Sequence, residues 1–209
     1  MTDQNKLKKL FSQLDKHQLP GFDAHVELTP YRKEIKPAIN NENVKTGAVA
    51  VIISFYSKSP SVILTKRASY DGVHGGQISF PGGKMDTSDL DLLHTAQRET
   101  REETGIILDT NNCLTKLSEI FIPPSNFIVH PFLFVNTNKF IGIENNEVDY
   151  LIEMPLTELM HDSALISTDI KLHDGIVLKD APCFGYKNEI IWGATAAILN
   201  ELRWLIKRI

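Results

Sequence analysis

The sequence predicts an α/β or α+β domain, because short Val- and Ile-rich runs are interleaved along the chain with stretches of helical periodicity. Composition bounds the class further: 42% of the 209 residues are hydrophobic and 23% are charged, which suits a globular protein rather than a disordered or fibrous one. The length fits one domain with extensions, at roughly 100 to 200 residues per domain. We divide it into residues 1–44, an N-terminal helix with a connecting arm, and residues 45–209, the main domain.

Leu7, Leu10, Phe11 and Leu14 recur at i, i+3, i+4 and i+7, the stripe of one amphipathic helix. From Leu19 to Asn43 the text is polar and broken by Pro20, Pro30 and Pro37, so an irregular arm is expected. Gly47 to Tyr56 and Ser61 to Lys66 read as two paired strands around the Lys58, Ser59, Pro60 turn. A glycine-crowded loop follows, and then a helix from Asp89 to Thr104 closed by Gly105. Strands are expected again over Cys113 to Phe121 and His130 to Val135, separated by Pro123 and Pro124. A short helix is expected near Pro155, further short strands between 164 and 191, and a closing helix from Ala194 to Lys207 with Ala197, Ile198, Leu202 and Leu205 facing inward.

Twenty-two Lys and Arg against twenty-six Asp and Glu give a net charge of −4 with no long basic run, which argues against nucleic acid as the main partner. No apolar run approaches the ~18 residues of a membrane span, and the start MTDQNKLKKL lacks the apolar stretch of a signal peptide. A cytoplasmic location, away from membranes, is the expectation. Cys113 and Cys183 lie far apart without a CxxC or Cys/His pattern, so neither a disulfide framework nor a zinc site is expected. A nucleophilic triad has no support either, since GxSxG does not occur and neither cysteine has a nearby His.

Chemistry concentrates on the helix before Gly105. Glu99, Glu102 and Glu103 stand at i, i+3 and i+4, on one face within a single turn. They lie at the C-terminal end of the helix, where the macrodipole disfavours negative charge. They are either a solvated face screened by Arg98 and Arg101 or a seat for a hard divalent cation, which prefers oxygen ligands and commonly bridges carboxylates to substrate phosphates.

Gly82 to Ile106, GGKMDTSDLDLLHTAQRETREETGI, resembles the Nudix box, GX5EX7REUXEEXGU with U aliphatic. Arg98, Glu99, Glu102, Glu103, Gly105 and Ile106 fall in register, whereas Thr100 takes an aliphatic position, Asp89 replaces the first Glu, and one extra residue separates Asp89 from Arg98. The Asp and the longer spacing resemble the coenzyme A pyrophosphatase branch, whose preceding motif has the form LLTXR(S/A)X3RX3GX3FPGG. Here the text is VILTKRASYDGVHGGQISFPGG from Val62 to Gly83, with Gly72 where that motif has a second Arg.

The resemblance implies the Nudix α/β/α sandwich with a mixed sheet, and metal-dependent hydrolysis of a phosphoanhydride. Its substrate would be coenzyme A or an acyl-CoA, cleaved to 3',5'-ADP and the (acyl)phosphopantetheine. It implies Mg²⁺ or Mn²⁺ on Glu99, Glu102 and Glu103, with Glu99, Glu102 or Glu147 taking the proton of the attacking water. Two rivals stay open: a Nudix enzyme for ADP-ribose or a dinucleotide, which Gly72 favours, and a non-catalytic nucleotide or CoA sensor. A homodimer is left open as well.

The other positions keep two readings each. Gly82 and Gly83 either shape a phosphate-facing loop or make a plain turn. Arg98 either steadies Glu102 one turn on or forms a purely structural ion pair. Arg67 either offers bidentate donors to an anionic substrate or lies on the surface. His74 either assists from the glycine-rich loop or is structural or solvent-facing, and Glu147 is either a further site carboxylate or part of the acidic loop Glu144 to Asp149.

Overall fold

The spine of the molecule is β1 (Lys45–Ser54), whose run of small and β-branched residues is buried on both faces from Val51 to Ser54, as a central strand requires. The computed structural model describes residues 4–12, 19–30, 44–69, 75–140, 142 and 146–208. Leu14, Gly72, His74 and Glu144 lie outside the described residues.

Along one side β1 runs parallel to β7 (Phe127–Asn136) over its whole length, from Lys45 opposite Phe127 to Ser54 opposite Asn136. Its other side is shared. The C-terminal half pairs antiparallel with β2 (Ser61–Arg67) and the N-terminal half with β4 (Gly82–Lys84). On its far side β2 pairs with β8 (Val148–Pro155) along its whole length, from Ser61 opposite Pro155 to Arg67 opposite Val148, while after Ile63 its near side leaves β1 and takes β3 (Ile78–Ser79) instead. The sheet therefore forks between β2 and β4, and the fork brings the end of β2 close to the two glycines of β4. The expected strand over Cys113 to Phe121 breaks into β5 (Cys113–Lys116) and β6 (Ile120–Ile122), both antiparallel to β7. Among the described residues eight strands make this mixed sheet. β9 (Leu165–Lys171), β10 (Val177–Tyr186) and β11 (Glu189–Ile191) form an antiparallel sheet of their own.

Helices cover both faces of the large sheet. On one, α3 (Leu92–Thr104) lays Ala96 against Ala48, Ala50 and Ile52, small side chains that admit a close approach of helix to sheet. On the other, α5 (Gly193–Ile206) buries Ala197, Ile198, Leu202 and Leu205, with Leu7 and Phe11 of α1 (Gln4–Ser12) in the same apolar cluster. The result is the α/β/α sandwich around a mixed sheet that the sequence implied. The short helix at Pro155 is α4 (Leu156–Met160). No helix among the described residues is long and apolar enough to cross a membrane.

The arm holds a difference. Phe22–Leu28 is a helix, α2, not irregular chain. Its periodic signal is weak because its hold is polar and distant in sequence: His25 Nε2 lies 2.9 Å from Glu201 Oε2, and Asn200 Nδ2 donates to the Ala24 carbonyl and to Glu27, each at 2.8 Å. Glu201 is fully buried and also accepts from the Ser118 amide at 3.1 Å, so α2 is latched to α5 through buried polar contacts, in which Asn200 Oδ1 alone of the named atoms has no partner.

Candidate active site

The carboxylate helix begins at Asp91, whose side chain accepts the His94 amide at 2.7 Å as an N-cap. Asp89, which the sequence placed at the helix start, instead precedes the cap and is buried. Its Oδ2 accepts from Thr95 Oγ1 and from the Asp86 amide, each at 2.9 Å. Arg98 grips the same carboxylate with both edges of its fork, Nε to Oδ1 at 2.8 Å and Nη2 to Oδ2 at 2.9 Å. Its remaining nitrogen, Nη1, donates to Glu99 Oε1 at 2.9 Å and to Glu102 Oε2 at 3.0 Å. The guanidinium thus joins the loop before α3 to two glutamates on it, which is the steadying role read from sequence extended to three carboxylates. Arg98 holds the Asp89 carboxyl well below the usual carboxylate range.

Thr100, the polar residue in an aliphatic position, is fully buried. Its hydroxyl donates to the Ala96 carbonyl at 2.6 Å, so the departure carries no unsatisfied group into the core.

The three glutamates diverge. Glu99 rests on β4: a Cβ on Gly83 would stand 2.5 Å from its Cδ, so only glycine leaves room for the carboxylate there. Glu103 is buried and accepts the Gly82 amide at 3.0 Å, with Arg67 Nη1 at 3.8 Å from its other oxygen. Gly82 holds φ at +151°, and a Cβ on it would meet the Ala48 carbonyl oxygen at 2.3 Å. Glu102 is half exposed and turned to Arg98.

Burial pushes the Glu99 carboxyl up, and the charges of Glu102 and Glu147 add to the effect against the pull of Arg98. Burial likewise pushes Glu103 up to about 7, with Glu99 and Glu147 adding and Gly82 and Arg67 opposing. Glu147, exposed just before β8, therefore stands within electrostatic reach of both glutamates, and its carbonyl accepts the Ala68 amide at 2.9 Å beside Arg67. The fork of the sheet thus brings Arg67, Gly82, Gly83, Glu99, Glu103 and Glu147 into one neighbourhood, with Glu102 at its edge.

Among the described residues no three His, Cys, Asp or Glu side chains are already gathered to hold a metal ion. The donors are nonetheless the right kind. They are hard oxygen ligands, two of them held in a site where burial and mutual charge disfavour ionisation, and a cation would reverse that penalty. In this arrangement Arg98 and the Gly82 amide occupy oxygens that such a cation would share.

Residues 45–173 match the NUDIX domain family. The chain belongs to the Nudix family. It is 36% identical over 155 residues to the uncharacterized Nudix hydrolase NudL of Yersinia enterocolitica, covering 73% of this chain and 78% of that protein. The NudL of Yersinia pestis is also 36% identical, over 156 residues and 76% of its length. In fold, this Nudix hydrolase is similar to a MutT/nudix family protein from Enterococcus faecalis (TM-score 0.56, 15% identity, 99% of this chain and 76% of that one). It is also similar to the MutT protein of Methanosarcina mazei (TM-score 0.51, 14% identity, 79% and 96%).

Three contributors escaped the sequence reading. The buried seat of Asp89 on Thr95 was missed because hydroxyl-to-carboxylate contacts leave no periodic trace. The Ile122 to Phe127 turn and the start of α5 were expected as turn and helix, but that they wall a cleft against β4 was not read, because the segments are remote from the glutamate motif.

Proposed function

We propose that this Nudix hydrolase cleaves the phosphoanhydride of coenzyme A or an acyl-CoA, giving 3',5'-ADP and the (acyl)phosphopantetheine, with Mg²⁺ or Mn²⁺ held by Glu99, Glu102 and Glu103. The observation that carries the reading is the Arg98 clamp. The Asp and the extra residue that set this chain apart from the general box, and align it with the coenzyme A branch, build an intact support for Glu99 and Glu102 rather than a decayed one.

Nudix hydrolases generally use divalent metals. Bound there, the ion supplies charge neutralisation of the pyrophosphate and lowers the pKa of a coordinated water. The protein's own contributions are positional. Arg98 fixes the rotamers of Glu99 and Glu102, while Gly82 and Gly83 bring backbone close to the carboxylates. Arg67, partly exposed beside Glu103, is placed to bind a phosphate oxygen. Glu147, Glu99 or Glu102 takes the water's proton. Intact carboxylates on a rigid support speak for catalysis over a binding-only sensor.

The test is a substrate panel of CoA, acetyl-CoA, ADP-ribose, NADH and diadenosine compounds with Mg²⁺ or Mn²⁺, scored for products by chromatography and mass. The expected result is 3',5'-ADP from the CoA compounds. Preferential cleavage of ADP-ribose or a dinucleotide would replace the substrate. Binding without turnover across the panel would mean a sensor.

A further inference from the structure

The Arg67 guanidinium is loosely held by its own contacts. Its Nε is buried with no hydrogen-bond partner, and its Nη1 stands 3.8 Å from Glu103, too far for a hydrogen bond. Its aim is therefore set by the backbone at the end of β2. There the Arg67 amide donates to the Gln77 carbonyl at 3.0 Å, and the Ala68 amide to the Glu147 carbonyl at 2.9 Å.

The ladder is irregular at this point. Tyr150 stands opposite Lys66, but Val148 stands opposite Arg67, so Asp149 is an extra residue in β8 and the pairing carries a bulge. A bulge bends the strand locally and re-aims the side chains next to it. What holds this one comes from β11. Glu189 accepts from Lys66 Nζ at 2.7 Å through one carboxylate oxygen and from the Tyr150 hydroxyl through the other, so a single side chain ties the two residues at which regular pairing stops. Lys66 and Glu189 are only 22% and 20% exposed, sheltered enough from water to keep one geometry. Opposite Glu189 on the β10–β11 hairpin, Tyr186 donates its hydroxyl to the Glu153 carbonyl at 3.1 Å and fixes the hairpin to β8 at a second point. Glu189 lies past residue 173, where the match to the NUDIX domain stops, so this hold is supplied from outside the matched segment.

We infer that Glu189 is a positioning residue for the hydrolysis: by holding Lys66 and Tyr150 it fixes the β2–β8 bulge, and the bulge aims Arg67. Successive side chains of a strand point to opposite faces, so Glu189 grips the face of β2 away from Arg67 and acts through the backbone rather than by contact. The inference rests on the phosphate-binding role of Arg67 proposed above and goes beyond it. It holds for any pyrophosphate compound the chain cleaves.

The experiment is steady-state kinetics of the full chain with Mg²⁺, on CoA and on ADP-ribose, in a double-variant cycle. Glu189→Ala should lower kcat/KM for the cleaved substrate at least about tenfold, a fraction of the roughly 100-fold that a 1 Å misplacement costs. Its melting temperature should stay within about 4 °C of the parent, the scale of a partly exposed ion pair in a chain of this size. In the Arg67→Ala background the same substitution should cost less than about twofold, because the group it positions is gone. Tyr150→Phe, which removes one hydroxyl from an exposed side chain, takes its place in the cycle if Glu189→Ala fails to fold. An undiminished kcat/KM in the folded variant would overturn the inference, as would losses that multiply across the cycle, the mark of a general structural role. Cleavage of ADP-ribose and not CoA removes the coenzyme A reading and leaves the role of Glu189 standing, whereas no turnover of either by the parent removes both.

Discussion

Arg98 carries the site at the level of single residues, since one guanidinium holds two oxygens of Asp89 and one each of Glu99 and Glu102. Removing the charge of Asp89 leaves a largely buried arginine short of its bidentate partner, and Asp89→Asn should lower stability by about 3 kcal/mol in denaturant unfolding. The pH dependence follows from the same contact. The Asp89 carboxyl is depressed from its ordinary 3.8, so its stabilisation is fully present above about pH 4 and is lost as pH falls below it. Stability curves from pH 6 down to 2.5 should be flatter at the acid end in Asp89→Asn than in the parent; parallel curves would contradict the clamp. At Gly83 the constraint is spatial. Gly83→Ala should displace the Glu99 carboxylate and cut kcat by roughly 100-fold, the scale of a 1 Å misplacement, with a much smaller change in melting temperature. Glu102→Gln should reduce turnover at saturating Mg²⁺ by about 100-fold or more, since general-base catalysis alone is worth ~10² to 10⁴.

At the scale of elements, α3 was legible because everything it contributes is contiguous: glutamates at i, i+3 and i+4, a closing glycine, and small residues on the sheet side. Its polar exception makes the point energetically. Thr100→Val exchanges a buried hydroxyl bonded to the Ala96 carbonyl for the aliphatic group the motif expects, and should change unfolding free energy by no more than about 1 kcal/mol in either direction. By contrast α2 could not be read. Seven residues give too few turns for a stripe, and what secures it is His25 on Glu201 and Asn200 on the Ala24 carbonyl, contacts that span about 176 residues of sequence. The strand run from 164 to 191 was visible as strands, yet that it forms a sheet apart from β1 depends on pairing partners no local pattern specifies.

For the molecule as a whole, the fork in the sheet is what turns a motif into a site, bringing the end of β2, the glycines of β4 and the approach to β8 onto the face of one helix. That Glu99, Glu102 and Glu103 share one turn of a helix is legible in the sequence, while the cleft beside them is not, because its walls come from three remote segments. Divalent-cation binding by Glu99, Glu102 and Glu103 of α3, as proposed above, is tested most directly, and without reference to substrate, by the Mg²⁺ dependence of the melting temperature. A ligand that binds only the folded state at a hundredfold excess over Kd adds about 2.7 kcal/mol, or roughly 5 to 10 °C for a chain of this size. The shift should vanish in the double variant Glu99→Gln, Glu103→Gln and persist in Glu158→Gln, on the exposed side of α4. A magnesium shift of parental size in the double variant would place the ions elsewhere and contradict the assignment.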